Sequence, residues 1–229
     1  MNERNKLSLI FERQWLHVLL LGLMLVGAWF AARSCPCVQR GQMCGISSWT
    51  WFWLAIEIAI VHQVFVWFCW RTELHFGLMS RVFGRMAFGL YAAGFAILFL
   101  GRFVAILILA FVTRDSIVFS TLALKTLAVA CLISSVYLGY SVMRYFGILR
   151  AFGADHFDAS YRDLPMERRG IFRLTPNAMY IFGFFALYIP GLWFASRPAI
   201  AAAVFSHLYI WVHYFTVELP DMRRIYGER

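Results

Sequence analysis

The chain has 229 residues, of which 62% are hydrophobic and 14% are charged, and its mean hydropathy is +0.68. Soluble globular domains average about 45–50% apolar and about 25% charged residues, so a chain of this size could not bury this much apolar surface in water. The composition excludes a soluble nucleotide-binding α/β domain, a secreted disulfide scaffold and a disordered tail, and it indicates a multi-pass membrane protein. The net charge of +9 does not point to nucleic acid, because the arginines cluster in loops that flank apolar segments.

Six apolar segments are long enough, or nearly so, to cross a hydrocarbon core of about 30 Å at 1.5 Å per residue. They comprise residues 15–32, 49–70, 86–112, 117–143, 177–195 and 199–217. Tryptophans stand at both ends of the second segment, as is typical of the membrane interface. We therefore predict an all-α, polytopic helical bundle of about six transmembrane helices that ends in a C-terminal helical hairpin.

The distribution of basic residues predicts the orientation of these segments. With a cytosolic N-terminus, fifteen basic residues, among them Arg4 and Arg229, lie on the cytosolic side. The opposite side holds four, which are Arg33, Arg40, Arg114 and Arg197. Both termini are expected in the cytosol, in a bacterial inner membrane or the endoplasmic reticulum. The chain then divides into an N-terminal four-helix membrane region, residues 1–143, and residues 144–229, which hold a cytosolic connector, the hairpin and a tail.

Cysteines and charged residues in the first 143 positions allow several interpretations. Cys35, Cys37 and Cys44 fall in the first non-cytosolic loop, where one disulfide to Cys44 is expected, and no metal site is predicted. Charged and polar groups within the spans are costly in hydrocarbon. They are Glu57, His62, Arg102 and Lys125. We expect Glu57 to pair with Lys125 or Arg102, and the alternative is that these residues sense a lipid headgroup.

The last two apolar segments bring polar residues to one depth. Ser196-Arg197-Pro198 predicts a tight turn, and pairing about Arg197 sets residues 177 and 180 beside residues 214 and 218. An amide, two phenols and a carboxylate then meet at the cytosolic mouth, which indicates a polar site because unpaired polar groups are costly there. The same pairing sets Gly183 opposite Trp211. His207 is expected to be a neutral imidazole hydrogen-bonded between helices, and His213 points away from the face of Glu218.

Four stretches of the C-terminal third carry a family resemblance. They read Gly153-Ala154-Asp155-His156-Phe157, Gly170-Ile-Phe-Arg173, Pro176-Asn177-Ala178-Met179-Tyr180 with Gly183, and Val217-Glu218-Leu219-Pro220-Asp221-Met222-Arg223-Arg224-Ile225-Tyr226-Gly227. Together they resemble the C-terminal half of integral-membrane phospholipid methyltransferases, in particular the phosphatidylethanolamine N-methyltransferase type. The wider superfamily includes isoprenylcysteine carboxyl methyltransferases. The resemblance covers about residues 145–227.

This resemblance implies S-adenosylmethionine as the cofactor, held in a cytosolic pocket of the last two helices and the tail, and a lipid that enters sideways from the bilayer. The cofactor-binding residues it implies are Asn177, Tyr180, Gly183, Tyr214 and Glu218. Glu218 and His156 are the candidate catalytic residues, as acceptors of the proton that an amine must lose. The candidate substrate-binding residues are Asp155 and, for the lipid phosphate, Arg173, Arg223 and Arg224.

The favoured function is therefore S-adenosylmethionine-dependent methylation of a membrane lipid amine, most directly N-methylation of phosphatidylethanolamine or its methylated derivatives. Two alternatives stay open at this point. The first is methylation of an isoprenoid or other lipophilic carboxylate or thiol. The second is a non-catalytic transport or sensor protein that uses the polar residues of the first four spans.

Overall fold

A computed structural model describes residues 3–39 and 41–227, with side chains from Lys6 onward. Its α-helices are α1 (Glu3–Ile10), α2 (Gln14–Arg33), α3 (Ser48–Phe76), α4 (Leu78–Phe83), α5 (Ala87–Val112), α6 (Thr121–Ser141), α7 (Ile148–Ala151), α8 (Phe185–Trp193), α9 (Arg197–His213) and α10 (Leu219–Tyr226). A small antiparallel hairpin joins β1 (Gln42–Met43) to β2 (Ile46–Ser47). Arg40 and Arg229, which support the predicted orientation, lie outside the described residues, as does the side chain of Arg4.

The predicted all-α membrane bundle is confirmed. Among the described residues, five helical stretches are long and apolar enough to cross a membrane. They are Lys6–Arg33, Ser48–Phe76, Leu78–Val112, Thr121–Phe146 and Arg197–Tyr226. The sixth apolar helix, Met179–Trp193, is shorter. The chain is thus a multi-pass membrane protein in which one of the six predicted spans is short.

Serine side chains begin three of the long helices. Ser47, Ser120 and Ser196 each accept a hydrogen bond from the backbone N–H three residues further on, at the starts of α3, α6 and α9. Such caps satisfy donors that a helix leaves unpaired at its N-terminus. The end of α3 is equally defined, because Gly77 adopts a left-handed φ of 60° that glycine tolerates without strain.

The loop between α2 and α3 contains a disulfide, but its pairing differs from the expected one. Cys35 is joined to Cys37 within the turn after α2, while Cys44 is an exposed free thiol between β1 and β2. The expected bridge to Cys44 is therefore wrong. The β-hairpin accounts for the difference, because it presents Cys44 on an exposed turn, whereas Cys35 is buried against the helices.

The C-terminal hairpin has the predicted form. The chain turns at Ser196, and α8 packs against α9, α5 and α6. The Tyr188 hydroxyl and His207 Nδ1 lie 3.2 Å apart, so His207 is hydrogen-bonded between α8 and α9 as expected. Elsewhere α3 packs against α5 and α9, and α2 packs against α9.

Arg71 anchors the end of the bundle that carries residues 144–176, which we call the connector end. Its side chain is fully buried near the end of α3 and donates to Asp221 of α10 at 3.3 Å. It also donates to backbone carbonyls at the end of α1, just after α1 and before α10, namely those of Leu9, Ile10, Glu12, Thr216 and Val217. One side chain therefore joins the N-terminal segment, α3 and the C-terminal tail.

The charged residues within the spans do not pair as expected. Glu57 is exposed on the outer face of α3. Arg102 instead donates to His62 Nδ1 at 2.9 Å, and the Lys125 ammonium lies over the Trp193 ring at 5.4 Å. The predicted Glu57–Lys125 or Glu57–Arg102 pair is thus wrong. Glu57 and Lys125 point away from the interior to which His62 and Arg102 belong, so the four residues do not form one polar pathway.

Candidate active site

A cavity of about 810 Å³ extends from the connector and the tail into the space between α3, α5, α6 and α9. Its wall is mostly apolar, and the polar side chains lie at two levels. Near the tail they are Arg150, Asp155, Asn177, Tyr180, Tyr214, Glu218, Arg223 and Tyr226, and deeper in the bundle they are His62, Gln63, Arg102 and His213. A volume of this order accommodates a small molecule.

Two π-helical turns face each other across the tail level of this cavity. One comprises Met179–Gly183 and leads into α8, and the other comprises Tyr214–Glu218 and links α9 to α10. Between them the Tyr180 hydroxyl donates a hydrogen bond to the Glu218 carboxylate. The Tyr180 and Tyr214 rings lie 5.3 Å apart between centroids. The predicted meeting of Tyr180, Tyr214 and Glu218 is confirmed, and single π-helical turns of this kind are frequent at functional sites.

Asn177 and Gly183 stand at either end of the first π-helical turn. The Asn177 carbonyl accepts from the backbone N–H groups of residues 180 and 181, and its side chain interacts with the Tyr214 hydroxyl. Gly183 also lines the cavity, but a Cβ there would lie 3.1 Å from Leu138 of α6. The prediction that Gly183 packs opposite Trp211 is wrong, because the side of Gly183 that would carry a Cβ faces α6. The predicted pairing considered only α8 and α9.

The connector contributes Asp155 to the cavity wall. Its carboxylate accepts from the Tyr226 hydroxyl at 2.8 Å and pairs with His156 Nδ1 at 3.0 Å. Burial alone would raise the pKa of Asp155, but the hydrogen bonds of His156 and Tyr226 together hold it below its ordinary value. Asp155 is therefore an anion at neutral pH, fixed between the connector and the tail.

His156 does not reach the cavity. The imidazole is fully buried, stacked on Trp70 at 4.2 Å between centroids, and its Nε2 atom lies 4.0 Å from Asp221. The predicted role of His156 as a proton acceptor for a substrate is therefore not supported by its location. Its contacts indicate that it positions Asp155 and closes the interior behind it.

Of the three arginines predicted to bind the lipid phosphate, one lines the cavity and two do not. Arg223 lines the cavity beside the tail. Arg173 is exposed outside the cavity, and Arg224 is paired with Glu12 and Asp221. Neither Arg173 nor Arg224 lines the cavity, so their locations do not support the predicted contact with the substrate.

Arg150 lines the cavity and was not recognised as a site residue. It is largely buried in α7 and donates to the carbonyls of Pro165 and Leu164. Its guanidinium also lies 5.8 Å from the centre of the Tyr226 ring. An arginine within an aromatic and basic connector carries no sequence signal that separates it from its neighbours.

His213 also lines the cavity and was not predicted as a site residue. It is fully buried on the cavity wall, and neither ring nitrogen has a hydrogen-bond partner among the described residues. A regular α-helix would turn residues 213 and 218 to different faces. The π-helical turn pairs residues five apart, which brings His213 onto the same wall as Glu218 and makes the expected orientation wrong.

The fold and the site together define a class: a multi-pass membrane bundle with an internal cavity whose polar groups are concentrated around one phenol–carboxylate pair. Residues 124–229 match the family model described as phospholipid methyltransferase. This part of the chain, which holds most of α6, the connector, the hairpin and the tail, is therefore similar to the phospholipid methyltransferase family. No curated protein and no solved structure matches the chain.

Proposed function

We propose that this protein transfers a methyl group from S-adenosylmethionine to the amine of a membrane phospholipid, most directly phosphatidylethanolamine or its methylated derivatives. The observation that carries the proposal is the hydrogen-bonded pair of Tyr180 and Glu218, held by facing π-helical turns on the wall of an internal cavity. Both residues lie in the segment that matches the family model.

The tail level of the cavity suits this methyl donor chemically. S-adenosylmethionine supplies a methyl group on a positively charged sulfonium. Carboxylates and aromatic rings attract such cations, and each cation–π contact contributes about 0.5–2 kcal/mol. Glu218, Asp155 and the rings of Tyr180 and Tyr214 provide both kinds of group on one wall. We assign these four residues and Asn177 to donor binding, and Gly183 to the apolar wall beside them.

In this mechanism the protein mainly aligns two reactants and excludes water. The lone pair of the lipid nitrogen forms the new N–C bond as the bond from the methyl carbon to sulfur breaks, and the sulfur keeps that electron pair. A protonated amine must first lose a proton to become a nucleophile. Glu218 accepts it in our proposal, while the Tyr180 hydroxyl fixes the position of the carboxylate. The mostly apolar wall keeps competing water away from the reacting atoms.

The lipid reaches the cavity from the bilayer between α5 and α6. α6 packs on α8, and α5 packs mainly on α3. Phe95 and Phe99 of α5 therefore face the cavity on one side, and Leu138 and Val142 face it on the other. An apolar slot of this kind accommodates acyl chains, while the headgroup enters the polar interior.

Labelled methyl donor and phosphatidylethanolamine liposomes test the activity with purified protein. We expect label in mono-, di- or trimethylated lipid, and its absence from all three would reject the acceptor class. Calorimetry measures donor binding separately. Glu218→Gln is expected to lose most of the transfer rate, with Glu167→Gln, in the connector but outside the cavity, as its control.

Tyr180→Phe removes only the hydroxyl that fixes Glu218 and is expected to weaken donor binding or lower the rate. Its matched control is Tyr188→Phe, which removes a hydroxyl from the same hairpin that binds His207 and lies outside the cavity. Equal effects of the two substitutions would contradict the assignment of the Tyr180–Glu218 pair.

A further inference from the structure

Arg102 is a buried cation without a buried anion. Its side chain lies in the middle of α5 and is 1% exposed. Its Nη2 donates to His62 Nδ1 at 2.9 Å, and its guanidinium lies 5.7 Å from the centre of the Phe184 ring. No carboxylate in the described ranges, 3–39 and 41–227, forms an ion pair with it. A charge held this way in a membrane span is expensive, which makes it a functional feature by default.

Several polar groups on the cavity wall are also left unsatisfied. Arg102 Nε, His62 Nε2 and both ring nitrogens of His213 lack hydrogen-bond partners within the described part of the chain. All three residues line the cavity, together with Gln63; His62 is bonded to Arg102, and the His213 ring lies 6.0 Å from that of Trp70. Several buried donors that converge on one cavity indicate a ligand with hydrogen-bond acceptors, and the fixed charge of Arg102 indicates that the ligand is an anion.

The deep level is separated from the phenol–carboxylate pair along the bundle axis. Arg102 interacts electrostatically with Tyr209 of α9, which precedes Glu218 by nine residues. At 1.5 Å per residue this is about 13 Å. The cavity therefore presents carboxylates and phenols at one level and an uncompensated cation at the other. A ligand that fits both levels carries its positive group toward the tail and its negative group toward the bundle centre.

We propose that Arg102 and His62 form an anion site that holds the phosphodiester of the acceptor lipid. The identity of that lipid rests on the function proposed above, whereas the anion site rests on Arg102 and its neighbours. In a phosphoethanolamine headgroup an oxygen and two carbons separate phosphate from amine. This span is shorter than the separation of the two levels, so phosphate bound at Arg102 sets the amine between them, on the side of Glu218, where a methyl donor entering from the tail would end. One bridging water then passes the amine proton to Glu218.

The apolar surroundings assign this site to a lipid rather than to a ligand from water. His62 contacts Phe95 at 4.5 Å between ring centroids, and Phe95 stacks on Phe99 at 6.4 Å. These two phenylalanines line the cavity beside the lipid entry proposed above between α5 and α6, so the anion site lies next to that entry. Residues 62 and 102 also precede the segment that matches the family model, which begins at residue 124. The site is thus a property of the N-terminal part of this chain.

Binding of dihexanoylphosphatidylethanolamine, measured without methyl donor in a non-ionic detergent, tests the site independently of turnover. Charge-assisted hydrogen bonds contribute enough that Arg102→Gln is expected to weaken this binding about tenfold to a hundredfold. Dihexanoylglycerol, which has no phosphate, should bind the variant and the unchanged protein equally. Lys125→Gln is the control, since it removes another cation of the membrane spans that lies outside the cavity. Unchanged phospholipid binding by Arg102→Gln would overturn the proposal.

Two further measurements keep the result unambiguous. Arg102→Lys, which retains the charge, should keep more phospholipid affinity than Arg102→Gln, and the melting temperature of each variant reports on folding. Inorganic phosphate should not displace the phospholipid at comparable concentrations, and displacement would refute assignment to a lipid. In transfer assays Arg102→Gln should raise KM for phosphatidylethanolamine without changing the affinity for methyl donor. A wild-type protein that transfers no methyl group but binds phospholipid through Arg102 would refute the proposed function and leave the anion site standing.

Discussion

Arg71→Gln tests how strongly the connector end depends on one buried guanidinium. The substitution removes the ion pair with Asp221 and the donors to five backbone carbonyls. Two of those carbonyls, at Thr216 and Val217, belong to the π-helical turn that carries Glu218. We therefore expect lower stability and weaker donor binding from the same change.

The magnitude follows from the burial of the pair. Both side chains are 0% exposed, so removing Arg71 leaves the buried Asp221 carboxylate with only Arg224 and the more distant His156 beside it among the described residues. Breaking a buried ion pair in this way costs about 3–5 kcal/mol. In a chain of this size each kcal/mol lowers the melting temperature by about 2–4 °C. The expected loss is therefore about 6–20 °C.

Thermal unfolding in detergent, followed by tryptophan fluorescence, measures this loss. Arg169→Gln is the matched control, because it breaks an arginine–carboxylate pair in which the Arg169 side chain is 70% exposed and that of Glu167 is 9% exposed. Pairs with a solvated partner contribute little, so a shift much smaller than that of Arg71→Gln is expected there. The double variant Arg71→Gln/Asp221→Asn should lose less than the sum of the single losses, since the two residues belong to one network. A shift for Arg71→Gln no larger than that of the control would refute the reasoning.

Three more predictions address the connector and the opposite loop. Gly153→Ala should lower the free energy of unfolding by about 1–3 kcal/mol, because its Cβ would lie 2.4 Å from the Trp70 ring. The control is Gly147→Ala, which is also at positive φ but has open space around it. Thermal unfolding should show a smaller loss of stability for the control. Asp155→Asn should destabilise the protein most at neutral pH: the folded pKa of Asp155 is lowered, so its contribution is present above the unfolded value of about 3.9 and is lost as pH falls. A stability difference from wild type that is constant between about pH 7 and pH 3 would contradict this. A membrane-impermeant maleimide should label Cys44 from the non-cytosolic side of intact cells or vesicles and should label Cys35 and Cys37 only after reduction; labelling of Cys44 from the cytosolic side alone would invert the proposed orientation.

The membrane bundle and the central pair of the site were predictable from the sequence. Long apolar runs define the spans with little ambiguity, because the hydrocarbon thickness fixes their length. The turn at Ser196 fixes the register of α8 against α9, and the pairing of Tyr180 with Glu218 follows from that register.

The remaining site residues depend on information that a pairwise helix register does not contain. His213 reaches the cavity only because a π-helical turn changes the helical period after it. The packing of α6 on Gly183 and the burial of His156 behind Asp155 involve elements distant in sequence. The sequence also does not predict that Arg102 lacks a carboxylate partner. Glu57 was a reasonable partner by position, and only the rotation of α3, which exposes Glu57, excludes this pair.

The short apolar helix Met179–Trp193 has a consequence for the surrounding lipid. At 1.5 Å per residue it is about 22 Å long, well below a hydrocarbon thickness of about 30 Å. Membranes relieve such a hydrophobic mismatch by thinning locally. Phospholipids next to this helix are therefore expected to lie deeper than those elsewhere in the leaflet. This local thinning would shorten the distance that a lipid headgroup travels from the leaflet surface to the bundle centre. Transfer rates should therefore depend on bilayer thickness.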